Sequence, residues 1–590
     1  MLRYRFLKQK LPFLFVIAFL FLLNHYFVGQ RENGEAVSSR KKIDETHNEE
    51  LKDCAAQEHQ CVADNGKPMK CWKDATDVFF PFSFIRKRFD VTGKASRDEK
   101  SFEMFTSYSK IRLPEGPYDP KGPFGHFATY SVETRERVRC ISGASGVPMS
   151  TQWDPKPYYY PIQIAQYGLQ HYSRLKTANF SHSEVVLGRM NPEWKGAAGM
   201  DETSERLFYR HEEVGPVVNI TAAGSLSNSG AYVYLDKTPD LHIISLKWLP
   251  IENASFTILV KLRENDLLVL LNYVFGEDDR CVWNDDEKAS ISTGQVSFSF
   301  CMGAMRSEWQ KVSRDVLVDA ARALSSGATK KKSQNWIFHP GDLFTVSIGF
   351  RGRLTVKQEI IQSNEQHLDA FLSAAEWFVR NQDEQGGWSV PVERAIAERR
   401  LVLAPGWHSA MAQGHGLSLL TRAFSETKEE KFLTAALKAI DLFNKSSEEG
   451  GVQNEIFGFP WYEEYPTLPG SFVLNGFLYS LIGLYDFSEL QLNSDDNEKY
   501  YAKLNEAKKL YDVGVASLKA LLPLFDTGSG SIYDLRHVAL DTAPNLARWD
   551  YHGVHVYLLK WIANIENDAK LEETVRRWVS YAYGKRAKHN

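Results

Sequence analysis

The chain has 590 residues, of which 43% are hydrophobic, 24% charged and 13% aromatic, with a formal net charge of -4. That balance excludes a mainly disordered, collagen-like or multi-span membrane chain, and the length allows about three or four domains. With 70 basic against 74 acidic side chains the protein is no general nucleic-acid binder, so a polyanion site must gather its positive charge locally.

Arg3, Arg5, Lys8 and Lys10 precede an apolar run over 11–28 that is interrupted by Asn24 and His25. The run has the ~17–20 residues of a spanning helix. The positive flank predicts a cytoplasmic tail over 1–10, a transmembrane signal anchor over 11–28 and the bulk of the chain in the lumen. His25, Tyr26 and Phe27 stand where a cleaved signal peptide, the alternative, would carry small residues. A short, Phe-rich span suits thin early secretory membranes. Residues 29–70 are polar and charged and read as a flexible stem. Cys54, Cys61, Cys71, Cys140, Cys281 and Cys301 can pair in a lumen, with a connectivity the spacing leaves open and no zinc-finger pattern. Sequons at Asn179, Asn219, Asn253 and Asn444 agree with that side of the membrane.

Residues 71–175 mix strand-like runs with turns. Residues 79–89 and 102–111 read as the two strands of a long hairpin, and the Gln- and aromatic-rich stretch over 151–167 reads by itself as an amphipathic core segment. Over 176–365, short apolar or alternating runs at 232–235, 242–248, 256–262, 267–275, 296–301 and 344–362 predict a β-sandwich or barrel, with an exposed loop around Lys330, Lys331 and Lys332. From 366 to 590 the period becomes helical, with helices over 367–380, 406–425, 428–446, 471–487, 496–522, 551–564 and 568–583. The connections entering the helices at 406, 471 and 551 are each roughly 25 residues, against ~2–8 for ordinary bundle connections. Long loops at every second connection crowd one rim of an incomplete (α/α) toroid, and the three helices they enter are apolar around most of their girth, as an inner ring requires. The chain is therefore expected to be an α+β multidomain protein: signal anchor, N-terminal β-hairpin region, β-sandwich or barrel, and C-terminal (α/α) domain.

The long loops hold the unusual residues: Gln385-Gly386-Gly387-Trp388 and Arg394 in the first, Trp461-Tyr462-Glu463-Glu464-Tyr465-Pro466 in the second, and Ile532-Tyr533-Asp534-Leu535-Arg536-His537 with Asn545-Leu546-Ala547-Arg548-Trp549-Asp550-Tyr551-His552 in the third. Phenols, a carboxylate and arginines without a metal or nucleophile motif suit proton abstraction beside a carboxylate. Such a proton leaves only if the developing enediolate is neutralised, which an arginine fork does. A tyrosine serves as base only where cations favour its phenolate, and Arg536 and Arg548 are close enough in sequence to Tyr533 and Tyr551 to do so. Return of the proton to the opposite face gives epimerisation. Loss of a leaving group after the same first step gives β-elimination, and a carboxylate pair could instead hydrolyse glycosides. Adjacent Glu463 and Glu464 point opposite ways on an extended backbone, so at most one faces the cleft. Asp526-Thr527-Gly528-Ser529-Gly530 reads as a turn and His415 as packing, whereas His537 and His552 could act as acid/base or orient a tyrosine. Dinucleotide fingerprints and His-Glu-x-x-His are absent from the sequence.

From residue 71 to the C-terminus the chain resembles the heparosan-N-sulfate-glucuronate 5-epimerases, the D-glucuronyl C5-epimerase family of heparan sulfate synthesis. The resemblance rests on Val138-Arg139-Cys140-Ile141-Ser142-Gly143, Ser150-Thr151-Gln152-Trp153, the run 160–169, Pro405-Gly406-Trp407, the run 409–414, Trp461 through Pro466, the run 471–477, Asp534-Leu535-Arg536-His537, the run 544–552 and Arg586-Ala587-Lys588-His589-Asn590. It implies a Golgi type II membrane enzyme, often dimeric, that interconverts glucuronate and iduronate in N-sulfated heparosan without an organic cofactor. Carried over, Glu464 and Tyr551 become the acid/base pair across C5, with Tyr533 assisting, and Arg536 and Arg548 hold the uronate carboxylate or its developing charge. Tyr465, Asn475, Tyr479, Asn545 and Arg394 line the cleft. Tyr130, Arg135, Arg137, Gln152, Tyr160, Gln163 and Gln166 contact flanking sugars from its other side. Phe525 departs from an expected Tyr, and Gly553-Val554 from two expected Thr. The family resembles a calcium binder in the β part, but its ligands have no clear match here. A polysaccharide lyase and a non-catalytic heparan binder are the alternatives; an intact acid/base set counts against the binder.

Overall fold

The computed structural model describes residues 56–63, 68–89, 91–96, 100–105, 111–114, 116–177, 183–185, 194–196, 205–222, 231–235, 240–276, 280–285, 294–326, 335–492 and 498–588. The anchor and tail expected over 1–28, Cys54 and the Lys330–Lys332 loop lie outside them. Among the described residues no helix is long and apolar enough to cross a membrane. Two compact units divide the chain after Arg88.

In the first unit Gln57–Cys61 pairs antiparallel with Met69–Lys73, which pairs in turn with Val78–Phe79, and a Cys61–Cys71 disulfide staples the hairpin. The end of the expected stem is therefore folded. The strand expected over 79–89 is also corrected. It ends at Phe79, and Phe82–Phe89 is a helix, α1. Pro81, with no N–H to give a sheet and a fixed φ, stops the strand and opens the helix.

In the second unit Thr92–Ala95 is the hairpin partner of Phe102–Phe105. Val138–Ile141, Pro148–Ser150 and Tyr158–Tyr159 form a small antiparallel sheet that leads into helix α2, Pro161–Thr177. The β part is built on two long strands, Ile243–Leu262 and Leu343–Lys357, paired antiparallel with register shifts around 250–255 and at 259–260. Bulges bend strands. The first half of Ile243–Leu262 thus pairs with Gln310–Asp315 and Ile361–Ser363, and its second half with Leu268–Val274. The strands enclose an apolar core that includes Trp248, Phe256, Tyr273, Phe300 and Phe350. Leu268–Val274 and Gln295–Cys301 run parallel. Glu205–His211, Gly215–Ala222, Gln310–Asp315 and helix α3, Val316–Ser326, escaped the sequence reading. The polar strand 310–315 hides because its inward arginine is paired: buried Arg314 bonds Asp319 of α3 at 2.7 Å and donates to the Ile141 carbonyl at 2.9 Å. A Cys140–Cys281 disulfide joins the small sheet to the β part.

The helices after 366 lie close to expectation: α4 His367–Arg380, α5 Ala410–Thr427, α6 Glu430–Ala439, α7 Leu474–Ser488, α8 Glu498–Leu521, α9 Trp549–Glu566 and α10 Ala569–Ala582. Helices α5, α7 and α9 are buried along most of their length and pack side by side, each backed by the next helix in sequence. Met411 sits beside Asn475, and His415 beside Tyr479 four residues on, so α5 and α7 run parallel. Their backbones nearly touch where a Cβ on Gly483 would lie 2.2 Å from the Gly414 carbonyl oxygen. Buried Arg422 on α5 and Asp486 on α7 pair at 2.6 Å, and the Tyr118 hydroxyl joins the carboxylate.

One boundary changes. Helix α2 packs against α4 and α5 and shares the core of the C-terminal helices. It is the first inner helix, α4 its outer partner, and the β part is inserted between them. The segment expected to stand apart as an N-terminal hairpin region over 71–175 is therefore joined to the helical array through 116–177.

Candidate active site

Parallel inner helices bring their first turns to one rim. That rim carries Tyr160 before α2, Met411 of α5, Asn475 of α7 and Tyr551 of α9. The exposed N–H groups of a helix start carry partial positive charge, so the rim favours anions.

Two adjacent glutamates part there, as an extended backbone requires. Glu463 turns into the protein and accepts from Ser471 N at 2.9 Å, Ser471 Oγ at 3.0 Å and Phe472 N at 2.9 Å. It fixes the loop that enters α7. Glu464 turns to the rim and accepts from Asn475 Nδ2 at 3.3 Å. Burial pushes its carboxyl up to about 7; Tyr465, the Arg394 charge and Asn475 pull the other way. Its negative charge acts in turn on Tyr160, Tyr465, Tyr533 and Tyr551, which places all four around it.

The third loop closes the group. Tyr533, on strand Ile532–Asp534, meets Tyr551 edge to face with ring centroids 4.9 Å apart. Burial, then Glu464, raises both phenols above their ordinary value. Arg137 and Arg548 oppose this at Tyr551, and the Arg548 guanidinium lies 5.9 Å from that ring. Arginine bias toward the phenolate was expected at both tyrosines. At Tyr533 the leading influences after burial are Glu464, Tyr551, Asp534 and Tyr160, all of which raise it, and Arg536 is turned to Asp534, Nε to Oδ1 3.3 Å. Asp534 also accepts from Asn545 Nδ2 at 2.7 Å. Arg394 lies between two rings, 4.7 Å from Trp153 and 5.2 Å from Tyr465. The Arg394 Nε, Asn475 Oδ1 and Gln163 Oε1 atoms are buried without a protein partner, so ligand or water must satisfy them.

A second group of phenols adjoins the site along α7, where Tyr479 lies one turn beyond Asn475. Tyr479 bonds Tyr557 hydroxyl to hydroxyl, and Tyr130 interacts with both. Arg135 lies 5.4 Å from the Tyr130 ring and donates to Gln166 Oε1 at 2.7 Å. Tyr130 packs against the helical core. Gln152 is half-buried between the second and third strands of the small sheet, and Arg137 is exposed just before its first. His415 packs on Tyr479 at 4.3 Å, as expected. Asp526 is structural: it accepts from Arg577 Nε, Trp578 Nε1 and the Tyr581 hydroxyl at 2.8 to 3.0 Å. Phe525 stacks on Trp461 at 5.6 Å, a place where a hydroxyl is not needed.

Asp534, Trp153, Tyr557 and His555 were missed as site residues, whereas His552 was expected to act as acid/base or to orient a tyrosine. Asp534 and Trp153 had a signal, a place in a quoted motif; Tyr557 and His555 had none short of the fold. Among the described residues no group of three or more His, Cys, Asp or Glu side chains is placed to hold a metal ion.

Residues 382–580 match the family described as D-glucuronyl C5-epimerase C-terminus, and residues 215–353 match its β-sandwich domain. A Caenorhabditis elegans protein named D-glucuronyl C5-epimerase is 58% identical, covering 100% of both chains. An uncharacterized protein of Methanocaldococcus jannaschii is 30% identical over 30% of this chain and 53% of its own. Among solved structures, a GH78 family rhamnosidase of Bacillus sp. GL1 aligns at 10% identity over 64% of this chain and 39% of that one, with a TM-score of 0.19 that carries no argument. With 58% identity along its whole length and both domains matched, the chain belongs to the D-glucuronyl C5-epimerase family.

Proposed function

We propose that this epimerase, an isomerase by class, inverts C5 of D-glucuronyl residues to L-iduronyl within N-sulfated heparosan, by removing the C5 proton from one face and returning one to the other. The observation that carries the reading is a buried carboxyl raised to about 7, surrounded by phenols held neutral. A pair of groups whose environments push them to different protonation states is an acid/base pair. Near neutral pH, Glu464 is ionised in part of the molecules and takes a proton, while the Tyr551 phenol gives one; the reverse reaction exchanges the roles. Tyr533, edge-on to Tyr551, supports the phenol. Arg536, aimed by Asp534, and Arg548 neutralise the uronate carboxylate as it gains enediolate character. Tyr465, Asn475 and Arg394 line the C5 side, and Tyr130, Arg135, Arg137, Gln152, Tyr160, Gln163, Gln166, Tyr479 and Asn545 take the flanking sugars.

We also propose that residues 11–28 anchor the chain as a single-pass type II protein of the Golgi membrane, with a lumenal catalytic part that works as a homodimer and needs no organic cofactor. The disulfides Cys61–Cys71 and Cys140–Cys281 suit an oxidising lumen.

The test is incubation with N-sulfated heparosan in deuterated water. Deuterium at uronate C5, new iduronate and unchanged chain length are expected. Shortened chains with unsaturated ends would mean a lyase, and binding without exchange would mean a non-catalytic heparan binder.

A further inference from the structure

Beneath the two catalytic phenols lies a buried chain of polar groups that the reaction as described does not use. Ser531 Oγ is 2.9 Å from His552 Nδ1 and 2.9 Å from His555 Nδ1. His552 Nε2 is 2.9 Å from the Trp578 carbonyl oxygen. His555 Nε2 is buried and has no partner. Both rings are 0% exposed. His555 lies one helical turn below Tyr551 on α9, and its ring stacks 6.4 Å from that of Tyr533.

The protons of this chain follow from its acceptors. A carbonyl only accepts, so His552 carries its proton on Nε2 and offers a lone pair at Nδ1. Ser531 must give its single proton to that lone pair. Its oxygen then accepts from the remaining neighbour, so His555 is the Nδ1–H tautomer and its Nε2 lone pair is bare. Burial keeps both rings neutral, with His555 pushed down to about 3. Asp526, itself paired with Arg577 at 2.8 Å, pulls His552 the other way, but burial outweighs it.

We infer that Ser531 and His552 fix His555 as a positioning residue, whose unpaired Nε2 accepts a hydrogen bond on the phenol side of the site and so orients Tyr533 and Tyr551 for proton transfer. The proposal deepens the epimerase reading and rests on it for its kinetic part. A buried acceptor left without a donor destabilises the fold, and such a group persists where the working complex supplies the donor.

Two measurements test it. Nitrogen-15 NMR of the histidine side chains in the intact protein should find opposite neutral tautomers at about pH 7, Nε2–H for His552 and Nδ1–H for His555. An Nε2–H or charged His555 would overturn the inference without any variant. Second, His555→Asn keeps a donor near the Nδ1 position and loses the distal acceptor, whereas His555→Gln keeps an acceptor near the Nε2 position. The Asn variant should lose about 10²-fold in kcat with KM and melting temperature little changed, and the Gln variant less than about tenfold. Full activity in the Asn variant, or equal losses in both, would overturn it. C5 deuterium exchange by the unaltered protein is run alongside: its absence would sink the epimerase reading and leave the tautomer result standing.

Discussion

Asp534 and Arg536 form an ion pair two residues apart, Nε to Oδ1 3.3 Å, in which the carboxylate is 2% exposed and the guanidinium 19%. The second carboxylate oxygen holds Asn545. One buried acid thus aims two residues of the cleft. Asp534→Asn keeps the shape and removes the charge. A lost hydrogen bond to a charged group is worth about 1.5–3 kcal/mol, so kcat/KM should fall about 10- to 100-fold in the C5 exchange assay. Arg536→Lys should do comparable harm, because a point charge cannot replace the fork.

Glu464 links activity to stability. Its carboxyl rises from an ordinary 4.5 to about 7. Between those two values the folded protein keeps a proton that the unfolded chain has released. The stability this provides is full below the lower value and lost as pH rises through the upper. Glu464→Gln removes that loss. The variant should be inactive, yet more stable than the unaltered protein by roughly 3 kcal/mol at about pH 8 and by little at about pH 4. Melting curves at both pH values check the sign; an advantage that shrinks with rising pH would contradict it.

Gly476 gives Glu464 its room. A Cβ there would lie 2.5 Å from Glu464 Cβ and 2.7 Å from Oε2. Alanine favours a helix by about 1 kcal/mol over glycine. Gly476→Ala, in the first turn of α7, should therefore cost far more activity than melting temperature. Its measure is kcat against Tm in one preparation.

Tyr551→Phe should nearly abolish C5 exchange while polymer binding persists. Binding itself should weaken steeply with added salt, since the ligand is a polyanion and exposed charges are screened over about 8 Å at physiological ionic strength. Titration of N-sulfated heparosan at several salt concentrations reads both effects.

The Cys140–Cys281 disulfide closes a long loop, with a sequence separation of 141 residues. Breaking it with Cys140→Ser should cost about 2–4 kcal/mol in denaturant unfolding. The loss should fall on the β part, because Cys140 and Cys281 both pack in its core.

Much of this was legible in the chain itself. The helices after 366 announced themselves by period. The alternation of long and short connections foretold which helices lie inside and which rim the loops crowd. The β part was legible where its runs were apolar and illegible at Gln310–Asp315, where a buried arginine with its own partner mimics a surface strand. Residues 82–89 were read as strand because aromatic residues recur there, and a single proline decided otherwise. Glu464, Tyr533 and Tyr551 stood out as chemistry in long loops, whereas nothing local marked Tyr557.

The sequence by itself determined the helical and β segments, the family and the residues able to move a proton, because periodicity, turn residues and motifs are written in neighbouring positions. Only the tertiary structure decided that helix α2 is the first inner helix, that Arg536 answers to Asp534 rather than Tyr533, and that Ser531 orders two histidines beneath the phenols. Each of those depends on groups brought together across many residues by a shared core. Burial there removes water as a partner, so the few remaining donors and acceptors choose one another.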